Sequence, residues 1–141
     1  MVDWVDGAIS NPHPASPEAV KTAENRLRVN LPPDFLAIAA LHQGAAPVPA
    51  NVVLPNGFVT ALAHLLHFEA SPIVSNIVAA QLPWTGVIDK GIIPFAADIG
   101  GDVYCFNYRE DYDNPGVAFF SVDFGTVPLA SSFTDFVKSL V

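Results

Sequence analysis

Charge is scarce in this chain. Only 14% of its 141 residues are Asp, Glu, Lys or Arg, against about 25% in an ordinary globular domain. Cations are scarcer still, six Lys and Arg against fourteen Asp and Glu, for a formal net charge of -8. Such a chain repels a phosphate backbone or an anionic membrane and attracts basic proteins, so we expect a protein partner and no nucleic acid or membrane. Net negative charge also keeps an apolar domain soluble, and both readings stay open. Cysteine is nearly absent. Cys105 alone excludes an internal disulfide and fits a reducing compartment, which places the protein in the cytoplasm. The opening Met-Val-Asp-Trp-Val-Asp holds two acids and no basic stretch before an apolar run, which predicts no secretory signal. No apolar run approaches the length of a membrane span. Catalytic signatures are missing too: there is no G-x-S-x-G elbow, S-x-x-K, H-E-x-x-H or phosphate-binding glycine loop. That lowers the expectation of an enzyme, yet a small hydrolase or metal-dependent enzyme without a local signature stays as a minor alternative.

What the chain has instead is apolar residues, 51% of the total, and thirteen prolines. A domain of this length buries about two-thirds of its unfolded surface. Residues 1–141 are therefore read as one domain with one core, a monomer or a weak homodimer with apolar surface to spare. Trp4 and Val5 start a short capping segment, and Asn11-Pro12-His13-Pro14 forces an extended passage. Ser16 and Pro17 open a helix whose buried stripe is Val20, Ala23 and Leu27, with Glu24, Arg26 and Arg28 outward or oblique. A second helix follows Leu31-Pro32-Pro33-Asp34, with Phe35, Ile38, Ala39 and His42 on one stripe and Gln43-Gly44 as its stop. Prolines 47, 49 and 55 then leave only Val52-Val53-Leu54 as a short strand before a Pro55-Asn56-Gly57 turn.

From Phe58 to Phe68 the pattern is ambiguous. Val59, Leu62, Leu65 and Leu66 fit a helical stripe, while His64, Leu66 and Phe68 fit one strand face, and strand is preferred for the second half. Ser71-Pro72 repeats the cap-plus-proline start and predicts a helix to about Leu82, with Ile73, Ile77 and Val78 inward and Pro83 ending it. Ile92 to Ala97 and Val103 to Tyr108 are strands joined by Asp98-Ile99-Gly100-Gly101-Asp102, where glycines and local acceptors reverse the chain. Arg109 to Gly116 is a polar loop, Val117 to Val122 returns as a strand, and an antiparallel meander is the simplest topology. Ser132-Phe133-Thr134-Asp135 reads as a capping box with Asp for Glu, and Phe133, Phe136, Val137 and Leu140 form the inner face of a last helix.

Few residues invite chemistry. His64 and His67 form the one close histidine pair, but no third ligand falls at a zinc spacing. Asp98 and Asp102 lack the alternating oxygen ligands of a calcium loop, and turn-capping explains them more simply. Cys105, between Tyr104 and Phe106, has no cation or helix terminus placed beside it and reads as core filling. No metal and no cofactor is expected. The one suggestive surface is acidic and aromatic: Asp98, Asp102, Glu110, Asp111, Tyr112, Asp113 and Asp123 fall within one third of the chain, and Trp84 offers a second aromatic anchor. The competing readings are a solvated hairpin tip for the acids and packing over the core for Trp84.

The order of blocks carries a resemblance. Glu24 is followed by Leu31-Pro32-Pro33-Asp34-Phe35, by Gln43-Gly44, by Ile93-Pro94-Phe95-Ala96-Ala97-Asp98-Ile99-Gly100-Gly101-Asp102 and by Leu129-Ala130-Ser131-Ser132-Phe133-Thr134-Asp135-Phe136. This resembles the SUKH superfamily, SMI/KNR branch, from about Trp4 to Val141. Departures are Gln43-Gly44-Ala45, where the family more often has an Asn-Gly-Gly turn, and the proline-rich stretch from Pro47 to Pro55. The resemblance implies an α+β fold, a mainly antiparallel or mixed sheet flanked by N-terminal and C-terminal helices. For most bacterial members it implies an immunity protein that neutralises a polymorphic toxin, often a nuclease. For fungal members it implies an intracellular regulatory adaptor that binds housekeeping proteins. It supplies no catalytic residues, and Leu31, Pro32, Gly100, Gly101 and Phe133 read as structural.

Overall fold

The computed structural model describes residues 2–6, 14–69 and 76–141. The extended passage expected at Asn11-Pro12-His13 and the helix start at Ser71, Pro72 and Ile73 lie outside the described residues. Helix α1, Pro17–Leu27, starts where Ser16 leaves the extended region and its Oγ accepts the Ala19 N–H at 3.0 Å. It stops at Arg28, whose left-handed backbone (φ 61°) directs its N–H onto the Glu24 carbonyl. The Glu24 carboxylate accepts the Leu31 N–H at 2.7 Å, turning the chain into α2, Pro33–Ala39. Helix α2 is shorter than its stripe predicts. His42 lies beyond it, its Nδ1 3.0 Å from the Asp6 carboxylate.

The main sheet is an antiparallel meander of six strands in sequence order: β3 (Asn51–Val53), β4 (Val59–Leu65), β5 (Ile92–Asp98), β6 (Val103–Asn107), β7 (Gly116–Ser121) and β8 (Gly125–Ala130). A smaller sheet pairs β1 (Asp3–Val5) with β2 (Ala46–Val48). The fold is therefore α+β, with helices at both terminal regions, as expected. Three details differ from the sequence reading, and the ambiguous stretch is resolved. Trp4 and Val5 belong to a strand, paired with Pro47 and Ala46. Strand β8 was hidden by Pro128, which sits on the sheet edge where its missing N–H breaks no ladder. Val59–Leu65 is strand, and a bulge between Leu62 and His64 puts Leu62 and Leu65, three residues apart, in the core. That bulge is why the stretch mimicked a helical period. Within the described part of the expected 71–82 helix only a 3-10 helix forms, Ala79–Trp84, with Pro83 inside it. Asn76 organises its start, donating to the Phe68 carbonyl and accepting the Val78 N–H.

Helix α3, Phe133–Lys138, is capped by Ser132 Oγ, which accepts the Asp135 N–H. The Asp135 carboxylate does not close the box but accepts from the Ser131 hydroxyl. Asp34 of α2 ties this helix down, its Oδ2 accepting both the N–H and the hydroxyl of Thr134. Between helices and sheet lies an aromatic core around Phe35, which contacts Phe95, Phe106 and Phe133 at 5.1–5.3 Å between ring centres. Strand β6 is buried on both faces, since Val103 and Cys105 pack with Phe120 and Ile92 under Trp84 and Ile88. Truncating the ring at the centre leaves a cavity ringed by Phe68, Phe95, Phe106 and Phe133. Phe35→Ala is expected to cost about 3–5 kcal/mol, read as a shift in the urea unfolding midpoint; a loss below about 1 kcal/mol contradicts this packing.

Candidate functional site: the acidic turns

The β5–β6 turn is built around one buried carboxylate. Asp98, 5% exposed, accepts at Oδ1 from the Thr60 hydroxyl (2.7 Å) and the Tyr104 hydroxyl (2.6 Å), and at Oδ2 from the Gly100 N–H (2.9 Å). Its own N–H reaches the Asp102 carbonyl, and its carbonyl receives the Gly101 N–H. Gly101 has φ +89°, and a Cβ on Gly100 would lie 3.1 Å from Asp98 Oδ2, so both glycines are dictated by the turn. Burial pushes the Tyr104 phenol well above its usual range, and the hydrogen bond to Asp98 and its charge push the same way, so Tyr104 stays a donor.

Topology divides the sequence-predicted surface between the two ends of the sheet. In a meander alternate turns share an end, so the β3–β4, β5–β6 and β7–β8 turns lie together. Asp98, Asp102 and Asp123 fall there. Glu110, Asp111, Tyr112 and Asp113 are on the exposed β6–β7 loop at the opposite end. There the Asp111 carboxylate accepts the Asp113 and Asn114 N–H groups, and the Tyr112 hydroxyl donates to the Arg28 carbonyl. Tyr108 packs beside Tyr112 and donates to the Asn30 carbonyl. Trp84 joins neither group: it lies edge-on to Phe120 across the back of the sheet, 5.6 Å between ring centres.

The remaining candidates are held by backbone or burial. His64 Nδ1 lies 3.0 Å from the Leu65 carbonyl and His67 Nδ1 2.8 Å from the Glu69 carbonyl. Cys105 is fully buried, and burial pushes its thiol up, away from the reactive thiolate. Among the described residues, no group of three or more His, Cys, Asp or Glu is arranged to hold a metal ion. No helix among them is long and apolar enough to cross a membrane.

Sequence reasoning missed the apolar members of the first end. Phe58, Ile99, Val122 and Phe124 are exposed there, and the rings of Phe58 and Phe124 meet at 5.6 Å. Their strands stand well apart in the sheet order, so this contact records how far the sheet curls. The available signal was the alternation of turns in a meander, combined with an apolar residue at each turn.

The class so defined is an α+β domain whose curled meander carries acidic and apolar side chains on one set of turns. The chain belongs to the SMI1 / KNR4 family (SUKH-1), whose family model matches residues 14–139. Comparison with curated proteins gives no match.

Asp102 is the member of the turn whose charge is disfavoured. Partial burial raises its pKa above the usual 3.8, and the charges of Asp98 and Asp123 add to the effect. The folded state thus binds this proton more tightly than the unfolded chain, and charging Asp102 costs stability above that range. Asp102→Asn is expected to raise the thermal midpoint at pH 7, with the gain vanishing as pH falls below 3.8, where the carboxyl is protonated in both states. A gain that persists unchanged at low pH contradicts this assignment.

Proposed function

We propose that this chain is a non-enzymatic protein-binding domain that acts in the cytoplasm as an immunity protein, neutralising a cognate toxin by occluding it. Membership of the SMI1 / KNR4 family across residues 14–139 carries the reading. The charge balance supports a basic partner, because a net charge of -8 draws in a cationic surface before contact. The acids Asp102, Glu110, Asp111, Asp113 and Asp123 are the steering charges, while Asp98 acts from within by holding the turn. Partner binding needs no acid–base pair, only a stiff surface of complementary charge, and both acidic loops stand on a stiff antiparallel sheet.

The test is co-expression with whichever toxin-like protein a neighbouring reading frame is found to encode. The chain is expected to restore growth and to co-purify in a stoichiometric complex, with an association rate that falls about tenfold or more from low to high ionic strength. Retention of several housekeeping proteins with no relief of growth arrest would favour an adaptor instead. An association rate indifferent to salt removes the steering role of the acids.

A further inference from the structure

The two acidic ends of the sheet are not equivalent. At the β6–β7 end Asp111 accepts two backbone N–H groups, and two cations lie on or beside the loop: Arg109, which pairs with Asp89 at 2.9 Å, and Lys90, next to Gly91, which packs against Arg109. At the other end none of the six Lys and Arg lies on the three turns, so Asp102 and Asp123 have no cation on their own or the neighbouring turns. The same turns expose large apolar side chains, with Val122 77%, Ile99 68%, Phe58 52% and Phe124 43% exposed.

Each of these turns is also pinned by one side-chain acceptor. Asn56 Oδ1 accepts the Phe58 N–H, Asp98 Oδ2 the Gly100 N–H and Ser121 Oγ the Phe124 N–H, all at 2.9 Å. Exposed apolar side chains on a fixed backbone lose little entropy on being covered. We infer that this three-turn end is the docking face, and that its occupant is a protein segment presenting a Lys or Arg beside an apolar or aromatic side chain. The inference deepens the protein-binding reading above and rests on it. The aliphatic stem of the cation lies along Ile99 and Val122, its head group meets Asp102 and Asp123, and the Phe58 and Phe124 rings offer faces to a guanidinium. Charge complementarity selects this occupant over a second copy of the chain, whose equivalent end is equally acidic.

The probe is a synthetic peptide alternating arginine with phenylalanine and leucine, titrated into the ¹⁵N-labelled full chain at low salt. Saturable amide shifts are expected at Phe58, Gly100, Gly101 and Phe124. A counterpart peptide with glutamate for arginine is expected to produce none. The double variant Ile99→Ser/Val122→Ser, altered only at exposed positions, is expected to weaken the apparent Kd about tenfold. Leu41→Ser/Leu82→Ser, at equally exposed apolar positions away from the three turns, is expected to leave it unchanged. Shifts centred on Glu110 to Asp113, scattered shifts that do not saturate, or no shifts overturn the assignment. Growth protection is read separately. Tip shifts without protection remove only the immunity reading, whereas protection that survives Ile99→Ser/Val122→Ser removes only the docking face.

Discussion

The carboxylate of Asp98 is the constraint on which the rest of this structure turns. A buried carboxylate is costly unless its oxygens are satisfied, and here the donors come from three places: Thr60 of β4, Tyr104 of β6 and the Gly100 backbone of the turn itself. One side chain therefore ties three neighbouring strands together at the point where the chain reverses. The Tyr104 ring then passes into the core against Phe119 and Phe136, so the polar knot and the aromatic core share a residue. Loosening the knot would loosen the packing of the central strands as well.

The aromatic core and the meander together decide what reaches solvent. Phe35 is clasped between sheet and α3, while Asp34 beside it holds the first turn of α3 through Thr134. With the helices fixed on one face and the Ala79–Trp84 segment covering part of the other, the turns at the sheet ends become the places where side chains can vary without disturbing the core. Side chains there can change at little structural cost, since loops carried by a rigid frame tolerate variation.

Much of this was legible from residue types alone. Ser16 and Ser132 announce their helices because a hydroxyl before an apolar period satisfies orphan N–H groups, and both do so here. Asp98-Ile99-Gly100-Gly101-Asp102 announces a reversal, which the structure contains. What stayed hidden was hidden by proline and by distance. Pro47 and Pro128 lie in strands at positions that tolerate a missing donor, so β2 and β8 read as loops. The bulge in β4 gave a strand a partly helical spacing and left its type open. The candidate surface is divided for a different reason: Asp98 and Asp113 are close in sequence, whereas the direction of each strand sends them to opposite ends. Burial of Asp98 needed the third dimension too, because Thr60 is distant in sequence and gives no local sign of donating to it.

Amide hydrogen exchange at Gly100 tests the central claim most directly, since that N–H is held by the Asp98 carboxylate rather than by a strand ladder. The account predicts that Gly100 is protected to the level of the β5 and β6 amides, opening only when the central strands open. Exchange at the rate of an unstructured loop, with β5 and β6 still protected, would show that Asp98 does not hold the turn and would contradict the account.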